Sequence, residues 1–246
     1  MRLDKINSDL SIYQYEDGFC YGTDAVLLSA FTAVKKGDVG VELGTGSGIV
    51  SILLGYHKSP AHIYAFEVQP EYASLARKNA QMCGYGDKIS VICDNLKNYA
   101  AHGIEDVDFV FSNPPYMKTD SGKLNENTKK LISRHETHCD INDICRAAGR
   151  MLKNGGNFFA VYRPDRMSDI IFAMKNNNLE PKEIVFVQSH ADKAPNLFLI
   201  KAKKDGLGGG LKIHKPLVLY TQKAVMTEEL DYIYRYGRMG GKHNGK

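Results

Sequence analysis

A short apolar run that ends in three alternating glycines is the feature that most constrains the fold. Val39–Leu43 is followed by Gly44-Thr45-Gly46-Ser47-Gly48, and the helical apolar run Ile49–Tyr56 begins at once. A strand, a glycine turn and a helix in this order open a doubly wound α/β sheet. A dinucleotide fingerprint would require a further glycine where Ile49 stands. The loop is therefore expected to let its backbone approach a ligand closely, without having to cradle a pyrophosphate.

Strand and helix signals alternate along the rest of the chain and predict a parallel sheet covered on both faces. The Asn154-Gly155-Gly156 segment predicts a glycine stop for the last helix before the fifth strand. The final two strands have no helix between them, which predicts a terminal antiparallel hairpin. The predicted strands are Val39–Leu43, Ile63–Phe66, Ile89–Cys93, Val107–Phe111, Asn157–Tyr162, Lys182–Val187 and Leu197–Lys203, and the later helices are Pro70–Cys83, Ile141–Leu152 and Arg166–Asn176.

Length and composition favour one globular domain. The chain has 246 residues, 43% of them hydrophobic and 24% charged, which suffices for a sizeable core. We expect an N-terminal covering segment over 1–38, a core over 39–204 and a C-terminal region over 205–246. The longest apolar stretch, near Ala25 to Val34, is too short to span a bilayer. Five cysteines without a C-x-x-C pair suit a reducing compartment, so a cytoplasmic protein is expected.

Acidic residues follow the second and third predicted strands. Glu67 lies 25 residues after Glu42, and Asp94 precedes Asn95 at the end of the third strand. Because ligands of such sheets bind beyond the carboxyl ends of the strands, Glu67 can accept both hydroxyls of a ribose. Asp94 and Asn95 can address an adenine edge. Each acid alone could be a helix cap or a solvated loop residue, but together with the glycine loop they predict a nucleoside-containing cofactor.

The spacing E-x-G-x-G-x-G from Glu42 to Gly48 resembles motif I of class I methyltransferases. The resemblance implies a Rossmann-like methyltransferase fold with a seven-stranded, mostly parallel sheet, and S-adenosylmethionine as the cofactor. Amides at the following helix start can meet the methionine carboxylate. The expected cofactor-binding residues in this part of the chain are Glu42, Gly44, Thr45, Gly46, Gly48, Glu67, Val68, Asp94, Asn95 and Asn113.

An Asn113-Pro114-Pro115-Tyr116 tetrapeptide follows the fourth strand. It resembles motif IV of amino-methyltransferases, which methylate adenine N6, cytosine N4, guanine N2 or a glutamine amide. A conjugated amine is a poor nucleophile, and two acceptors, the Asn113 side-chain oxygen and the Pro114 carbonyl, could orient it and stabilise its developing charge. Pro115 stiffens the turn and Tyr116 offers a ring on which a base can stack. Asn113, Pro114 and Tyr116 are thus the expected catalytic residues.

Two further segments narrow the resemblance. The chain resembles the bacterial tRNA-Val adenine-37 N6-methyltransferase family in the tetrapeptide, in Asp17–Leu28 and in Arg134-His135-Glu136. The resemblance extends to Lys212–Tyr220 and Thr227–Leu230. It implies methylation of an adenine in a tRNA. It also implies that Tyr21, Gly22, Thr23 and Asp24 close over the methionine end of the cofactor. From the residues alone, Thr23 or Asp24 is a good N-cap for a helix over Ala25–Val34.

Positive charge is unevenly distributed. The net charge is +4, and basic residues gather at Lys118 to Arg134 and at Lys201 to Lys223. Lys129, Lys130 and Arg134 are predicted to contact the phosphates of a tRNA, although a solvated surface is the plainer alternative. The H-x-x-H-C run from His135 to Cys139 lacks a clear fourth ligand and follows Arg134, so no metal is expected.

Three other functions remain open. Protein glutamine N5-methyltransferases share the tetrapeptide but carry a sizeable N-terminal helical domain, whereas 38 residues precede the first strand here. Ribosomal RNA guanine N2-methyltransferases tend to have Phe in place of Tyr116. A catalytically inactive RNA-binding scaffold would not need paired amine acceptors. A monomer acting on tRNA, with no membrane association, is the expected form.

Overall fold

A computed structural model describes residues 1–16, 20–114 and 139–240. Its elements, in chain order, are β1 (Arg2–Lys5), β2 (Ser11–Gln14), α1 (Thr23–Phe31), β3 (Val39–Leu43), α2 (Ile49–Lys58), β4 (His62–Glu67), α3 (Pro70–Met82), β5 (Ile89–Cys93), β6 (Val107–Ser112), α4 (Ile141–Met151), β7 (Leu152–Tyr162), α5 (Met167–Asn176), β8 (Leu179–Gln188), β9 (Leu197–Lys204), β10 (Lys212–Ile213), β11 (Leu217–Val218), β12 (Tyr220–Gln222), β13 (Val225–Met226) and α6 (Glu228–Tyr236). Short 3-10 helices span Leu96–His102 and Pro164–Arg166. Among these helices, none is long and apolar enough to cross a membrane.

The central sheet has the order β10-β8-β9-β7-β6-β3-β4-β5. Strand β9 runs antiparallel to both β7 and β8, and the other long strands are mutually parallel. The predicted seven strands and the terminal hairpin are confirmed, with β9 inserted between β7 and β8. Two short strands that the sequence does not predict, β10 and β11, both pair with β8, which makes the sheet nine-stranded.

The core lies on both faces of this sheet. Successive residues of β6 and β7 alternate between the faces: Phe109, Phe111 and Phe159 pack with α1, α2 and α6, whereas Val110 and Phe158 pack with α4 and α5. Gly40 in β3 is required by close approach, because a Cβ there would lie 2.2 Å from the Phe109 ring. Burial on both faces explains the continuous apolar runs Phe109–Phe111 and Phe158–Tyr162 within these strands.

Two predicted helix ends are wrong. Helix α4 ends at Met151, and the chain enters β7 directly, so Asn154-Gly155-Gly156 lies inside a strand instead of stopping a helix. The register between β6 and β7 shifts there, and Gly155 has a φ of +74°, which accommodates a bulge. The N-cap of α1 is Gly22, with no side-chain cap bond, and not Thr23 or Asp24.

The buried side chain of Asn79 in α3 joins the N-terminal hairpin to the glycine loop. Strands β1 and β2 form an antiparallel hairpin, and Asn79 of α3 bonds both backbone groups of Tyr13 in β2, at 2.8 and 3.0 Å. The same Asn79 amide donates to the Ser47 carbonyl of the glycine loop at 2.9 Å. The N-terminal segment is thereby fixed to the loop that follows β3.

Candidate active site

A cleft of about 480 Å³, including the solvent at its mouth, lies at the carboxyl edge of the sheet. Ends of four neighbouring strands contribute to it, in the order β5, β4, β3, β6, and α4 closes one side. The residues that line it are Leu43, Gly44, Phe66, Glu67, Val68, Asp94, Asn95, Leu96, Pro114, Cys139 and Ile144. The structure therefore brings together six predicted site residues: Gly44, Glu67, Val68, Asp94, Asn95 and Pro114.

The glycine loop is held against the end of β4. The amides of Gly44 and Thr45 both donate to the Phe66 carbonyl, at 3.0 and 2.9 Å, and Gly46 N donates to Glu67 Oε2 at 2.9 Å. Gly44 and Gly46 have positive φ angles, and a Cβ at either would meet nothing within 4 Å. The loop thus presents bare backbone to open space, which suits close approach by a ligand.

Glu67 is 2% exposed, and both of its oxygens accept backbone hydrogen bonds. Oε2 accepts from Gly46 N and Oε1 accepts from Gln69 N, each at 2.9 Å. These bonds fix the carboxylate between the glycine loop and the start of α3. Because each carboxylate oxygen has two lone pairs, the group retains capacity to accept further hydrogen bonds from a ligand in the cleft.

Glu42 lies beneath the loop and does not line the cleft. It is 1% exposed, and its Oε2 accepts from Thr45 Oγ1 at 2.6 Å and from Ser51 Oγ. Burial raises the pKa of Glu42 to about 7, although these two hydroxyl bonds oppose the shift. Glu42 and Thr45, both predicted cofactor ligands, therefore stabilise the loop conformation from inside the protein.

Asp94 organises the turn after β5. Its Oδ1 accepts from Asn95 N at 2.6 Å and from Asn98 Nδ2 at 2.9 Å, while Oδ2 lies 2.9 Å from His102 Nε2. The hydrogen bonds from His102 and then Asn98 lower the pKa of Asp94. Asn95 is the N-cap of the following 3-10 helix, because its side chain accepts from Lys97 N. Both residues line the cleft while they fix its wall.

The end of β6 is tied to two other elements. Ser112 Oγ donates to the Leu43 carbonyl of β3 at 2.7 Å, and Asn113 Nδ2 donates to Asp24 Oδ2 of α1 at 3.1 Å. Pro114 lines the cleft. Pro115, Tyr116, Lys129, Lys130 and Arg134 lie outside the described residues, so their predicted roles in substrate binding stay predictions.

Tyr21 to Asp24 stand where the N-terminal segment meets the end of β6. Tyr21 N donates to Gln14 Oε1 of β2 at 2.8 Å, and Tyr21 packs against the core. Asp24 is 9% exposed and its Oδ1 accepts from Ala25 N at 2.9 Å. Asp24 is joined directly to the tetrapeptide, because its Oδ2 accepts from Asn113 Nδ2.

One predicted cofactor residue faces another helix, and one important residue was missed. Gly48 lies against α3, since a Cβ there would contact Ala76 at 3.4 Å. Asn79, which is fully buried and joins β2 to the glycine loop, is absent from the predicted site. Its signal in the sequence is a polar residue on the apolar face of α3, in line with Tyr72, Leu75 and Ala76.

Cys139 lines the cleft beside Ile144. Burial, and then the nearby charge of Asp143, raises the pKa of Cys139 to about 12. The thiol is thus protonated at neutral pH. His135 and His138, the other members of the H-x-x-H-C run, lie outside the described residues.

The donors and acceptors of the cleft fit a nucleoside-containing cofactor. Bare backbone at Gly44 and Gly46, a fixed carboxylate at Glu67 and acceptors at Asp94 stand at the ends of adjacent strands. Open space above the glycines admits a bulky group, and the acceptors match ribose hydroxyls and an exocyclic amine.

Residues 15–182 match the family described as the methyltransferase small domain. The chain belongs to this family, and the protein is a methyltransferase with a Rossmann-like class I fold. Family, fold and cleft agree on S-adenosylmethionine as the cofactor, as the sequence predicts.

Relatives and solved structures agree with this assignment. The chain is 28% identical over 180 residues to a tRNA1(Val) (adenine(37)-N6)-methyltransferase of Bacteroides fragilis, covering 73% of this chain and 75% of the relative. It is 30% identical over 193 residues to the protein of the same name from Aeromonas hydrophila, covering 77% of each chain. A predicted O-methyltransferase from Agrobacterium tumefaciens superposes with a TM-score of 0.72 at 19% identity, covering 89% of this chain and 99% of that one. The last comparison shows the shared fold.

Proposed function

We propose that this methyltransferase transfers a methyl group to N6 of an adenine in tRNA, at position 37 of a valine tRNA. The observation that carries the proposal is the position of Asn113 and Pro114, at the end of β6 beside a cleft suited to S-adenosylmethionine. The relatives' names supply the particular tRNA and the position.

The chain's residues would act by binding, orienting and accepting hydrogen bonds. Glu67 and Asp94 would hold the ribose and adenine of the cofactor. The Asn113 side-chain oxygen and the Pro114 carbonyl would accept the two hydrogens of the adenine amine, which turns its nitrogen towards the cleft. These acceptors stabilise positive charge as it develops on that nitrogen.

When bound, S-adenosylmethionine supplies an electrophilic methyl group. The amine nitrogen that Asn113 and Pro114 hold would form a bond to this methyl carbon, and the electron pair of the broken carbon–sulfur bond would remain on sulfur. The adenine nitrogen then loses one proton to solvent. Positioning supplies much of the acceleration in such an in-line displacement. An unpaired base in an anticodon loop costs less to extrude than a base in a duplex.

The test is incubation of the protein with labelled S-adenosylmethionine and total tRNA, followed by nucleoside mass spectrometry and nuclease mapping. We expect N6-methyladenosine at the purine after the anticodon of a valine tRNA. The Asn113→Ala variant is the control, and it should lose turnover by about 100-fold or more while still binding the cofactor. Label in guanosine or in protein glutamine would replace the proposal with one of the two rival enzymes. Cofactor binding without transfer to any substrate would favour a scaffold.

A further inference from the structure

The amide of Asn113 has a buried charged neighbour in the first turn of α1. Asn113 Nδ2 donates to Asp24 Oδ2 at 3.1 Å, and Asp24 is 9% exposed. The other Asp24 oxygen accepts from Ala25 N at 2.9 Å, which holds the carboxylate in place. Helix α1 itself is buried along most of its length, so this neighbour is rigidly supported.

A carboxylate can only accept hydrogen bonds, and this decides the orientation of the amide. An amide carries a donating NH₂ group on one arm and an accepting oxygen on the other. If the Asn113 side chain turned by 180°, its oxygen would face the Asp24 oxygen and the two acceptors would repel. The observed bond therefore directs Nδ2 towards Asp24 and leaves Oδ1, on the other arm of the amide, as the acceptor.

We propose that Asp24 is a positioning residue that acts through Asn113, by fixing which arm of the amide is presented to the substrate amine. This inference rests on the proposed function, because an amine substrate needs an acceptor and not a donor from Asn113. A charged partner also polarises the amide, which strengthens its oxygen as an acceptor. The role differs from the cofactor contact that the family resemblance implies for Asp24.

The Asp24→Asn substitution inverts this arrangement while keeping the size of the side chain. The introduced amide oxygen would keep the bond from Ala25 N, so its NH₂ group would face Asn113. Asn113 would then turn its oxygen towards α1 and its NH₂ towards the substrate, where a donor meets a donor. We expect turnover to fall about 100-fold, with the S-adenosylmethionine dissociation constant within about twofold of wild type.

A swap of the two residues provides the rescue. Asn113→Asp alone keeps an acceptor for the substrate but sets two carboxylates face to face, so turnover should fall. In the double variant D24N/N113D, the amide at position 24 donates to the carboxylate at position 113, and the second carboxylate oxygen is again the substrate's acceptor. The double variant should therefore turn over at least about tenfold faster than either single variant. A merely structural role for Asp24 predicts no such recovery.

Single-turnover rates, cofactor affinity by calorimetry and thermal unfolding are measured for all four proteins. Asp38→Asn is the matched control, because Asp38 also accepts a backbone amide, from Lys35 at 2.8 Å, but precedes β3 at the opposite edge of the sheet. Wild-type turnover in D24N overturns the inference, as does a folded double variant that is no faster than N113D. Weakened cofactor binding in D24N would make Asp24 a cofactor ligand and also overturn it. If the double variant does not fold, D24N alone decides.

Failure of the proposed function has a different signature. If the wild type methylates guanine or a glutamine amide, the proposed substrate is wrong. The positioning role of Asp24 is then tested by comparing the turnover of the same four proteins on the amine that is methylated. If the wild type is active on adenine and D24N is equally active, only the positioning role is wrong.

Discussion

Asn113 and Asp24 are 89 residues apart in the sequence, and their side chains meet with an Nδ2–Oδ2 distance of 3.1 Å. Asn79 bonds Tyr13 and Ser47. These two contacts attach the N-terminal segment to the glycine loop after β3 and to the segment that follows β6. The segment before β3 therefore forms part of the site's support.

Glu67 gives a prediction about cofactor affinity. In Glu67→Gln, one acceptor oxygen becomes an NH₂ group, which cannot accept a hydrogen bond from a backbone amide or from a ribose hydroxyl. Because hydrogen bonds to a charged acceptor contribute about 1.5–3 kcal/mol, we expect the dissociation constant of S-adenosylmethionine to rise about tenfold or more. Calorimetry is the measurement, and Glu71→Gln in the exposed first turn of α3 is the control. Full affinity in Glu67→Gln would remove Glu67 from the cofactor site.

Tyr116, which lies outside the described residues, is predicted to stack on the target base. Since base stacking contributes about 1–3 kcal/mol, Tyr116→Ala should raise KM for tRNA about tenfold or more. Tyr116→Phe keeps the ring and should stay within about threefold of wild type. Steady-state kinetics on both variants separates the ring from the hydroxyl. Equal losses in the two variants would assign the effect to the hydroxyl and contradict stacking.

Lys129, Lys130 and Arg134 are predicted to neutralise phosphates. Their triple alanine variant should weaken tRNA binding and reduce the slope of log affinity against log salt by about 2, because each lost phosphate contact on a single strand removes about 0.7. The control is Lys36, Lys88 and Lys203 changed together, since these exposed lysines lie at the amino edge of the parallel strands. An equal change of slope in both triple variants would indicate a general effect of net charge.

Glu42 should make stability depend on pH. Its pKa is raised to about 7 in the folded protein, so between about pH 4.5 and pH 7 the folded state binds more protons than the unfolded state. Stability should therefore fall as pH rises through this window, by roughly 2 kcal/mol between pH 5 and pH 8 relative to Glu42→Gln. Urea unfolding of both proteins at the two pH values measures the difference. Parallel pH profiles would show that Glu42 does not titrate in this range.

Much of the fold could be predicted because local patterns decide it. The apolar runs of β3, β4 and β6 are largely buried on both faces, whereas β5 is the partly exposed edge strand. The acids at the ends of β4 and β5 meet at one edge for purely topological reasons. The end of α4 was mispredicted because tertiary pairing with β6 draws Asn154-Gly155-Gly156 into a bulged strand. Strands β10 and β11 were missed, since two-residue strands leave no periodic signal.

The same distinction applies to the site: residues at strand ends could be predicted from the sequence, whereas contacts that depend on loop closure or helix packing could not. Glu67 and Asp94 were predicted from their positions after strands, and Gly44 and Pro114 from the resemblance to motifs I and IV; all four line the cleft. Spacing could not show that Glu42 turns inward to Thr45 and Ser51, because that depends on how the loop closes over the carboxylate. Nor could it show the Asp24–Asn113 bond, which requires the packing of α1 against the sheet.

Lys58 gives a prediction about the support of α1, the helix that carries Asp24. It is the last residue of α2, and its side-chain nitrogen donates to the carbonyls of Ser29, Ala30 and Thr32 at 2.6, 2.9 and 2.5 Å. Burial lowers the pKa of Lys58 to about 7, so the charged form with three N–H donors predominates below that pH. These carbonyls belong to the C-terminal end of α1, which has no basic residue in its own last turn. Lys58→Met keeps the apolar stem but leaves the carbonyls without this donor, so we expect a loss of about 2–3 kcal/mol in the free energy of unfolding. Urea titration should show a lower midpoint with an unchanged slope.

The control is Lys35→Met, which changes an exposed lysine just beyond the same helix and should change stability by less than about 0.5 kcal/mol. Equal losses of stability in the two variants would mean that the three carbonyl bonds contribute nothing specific.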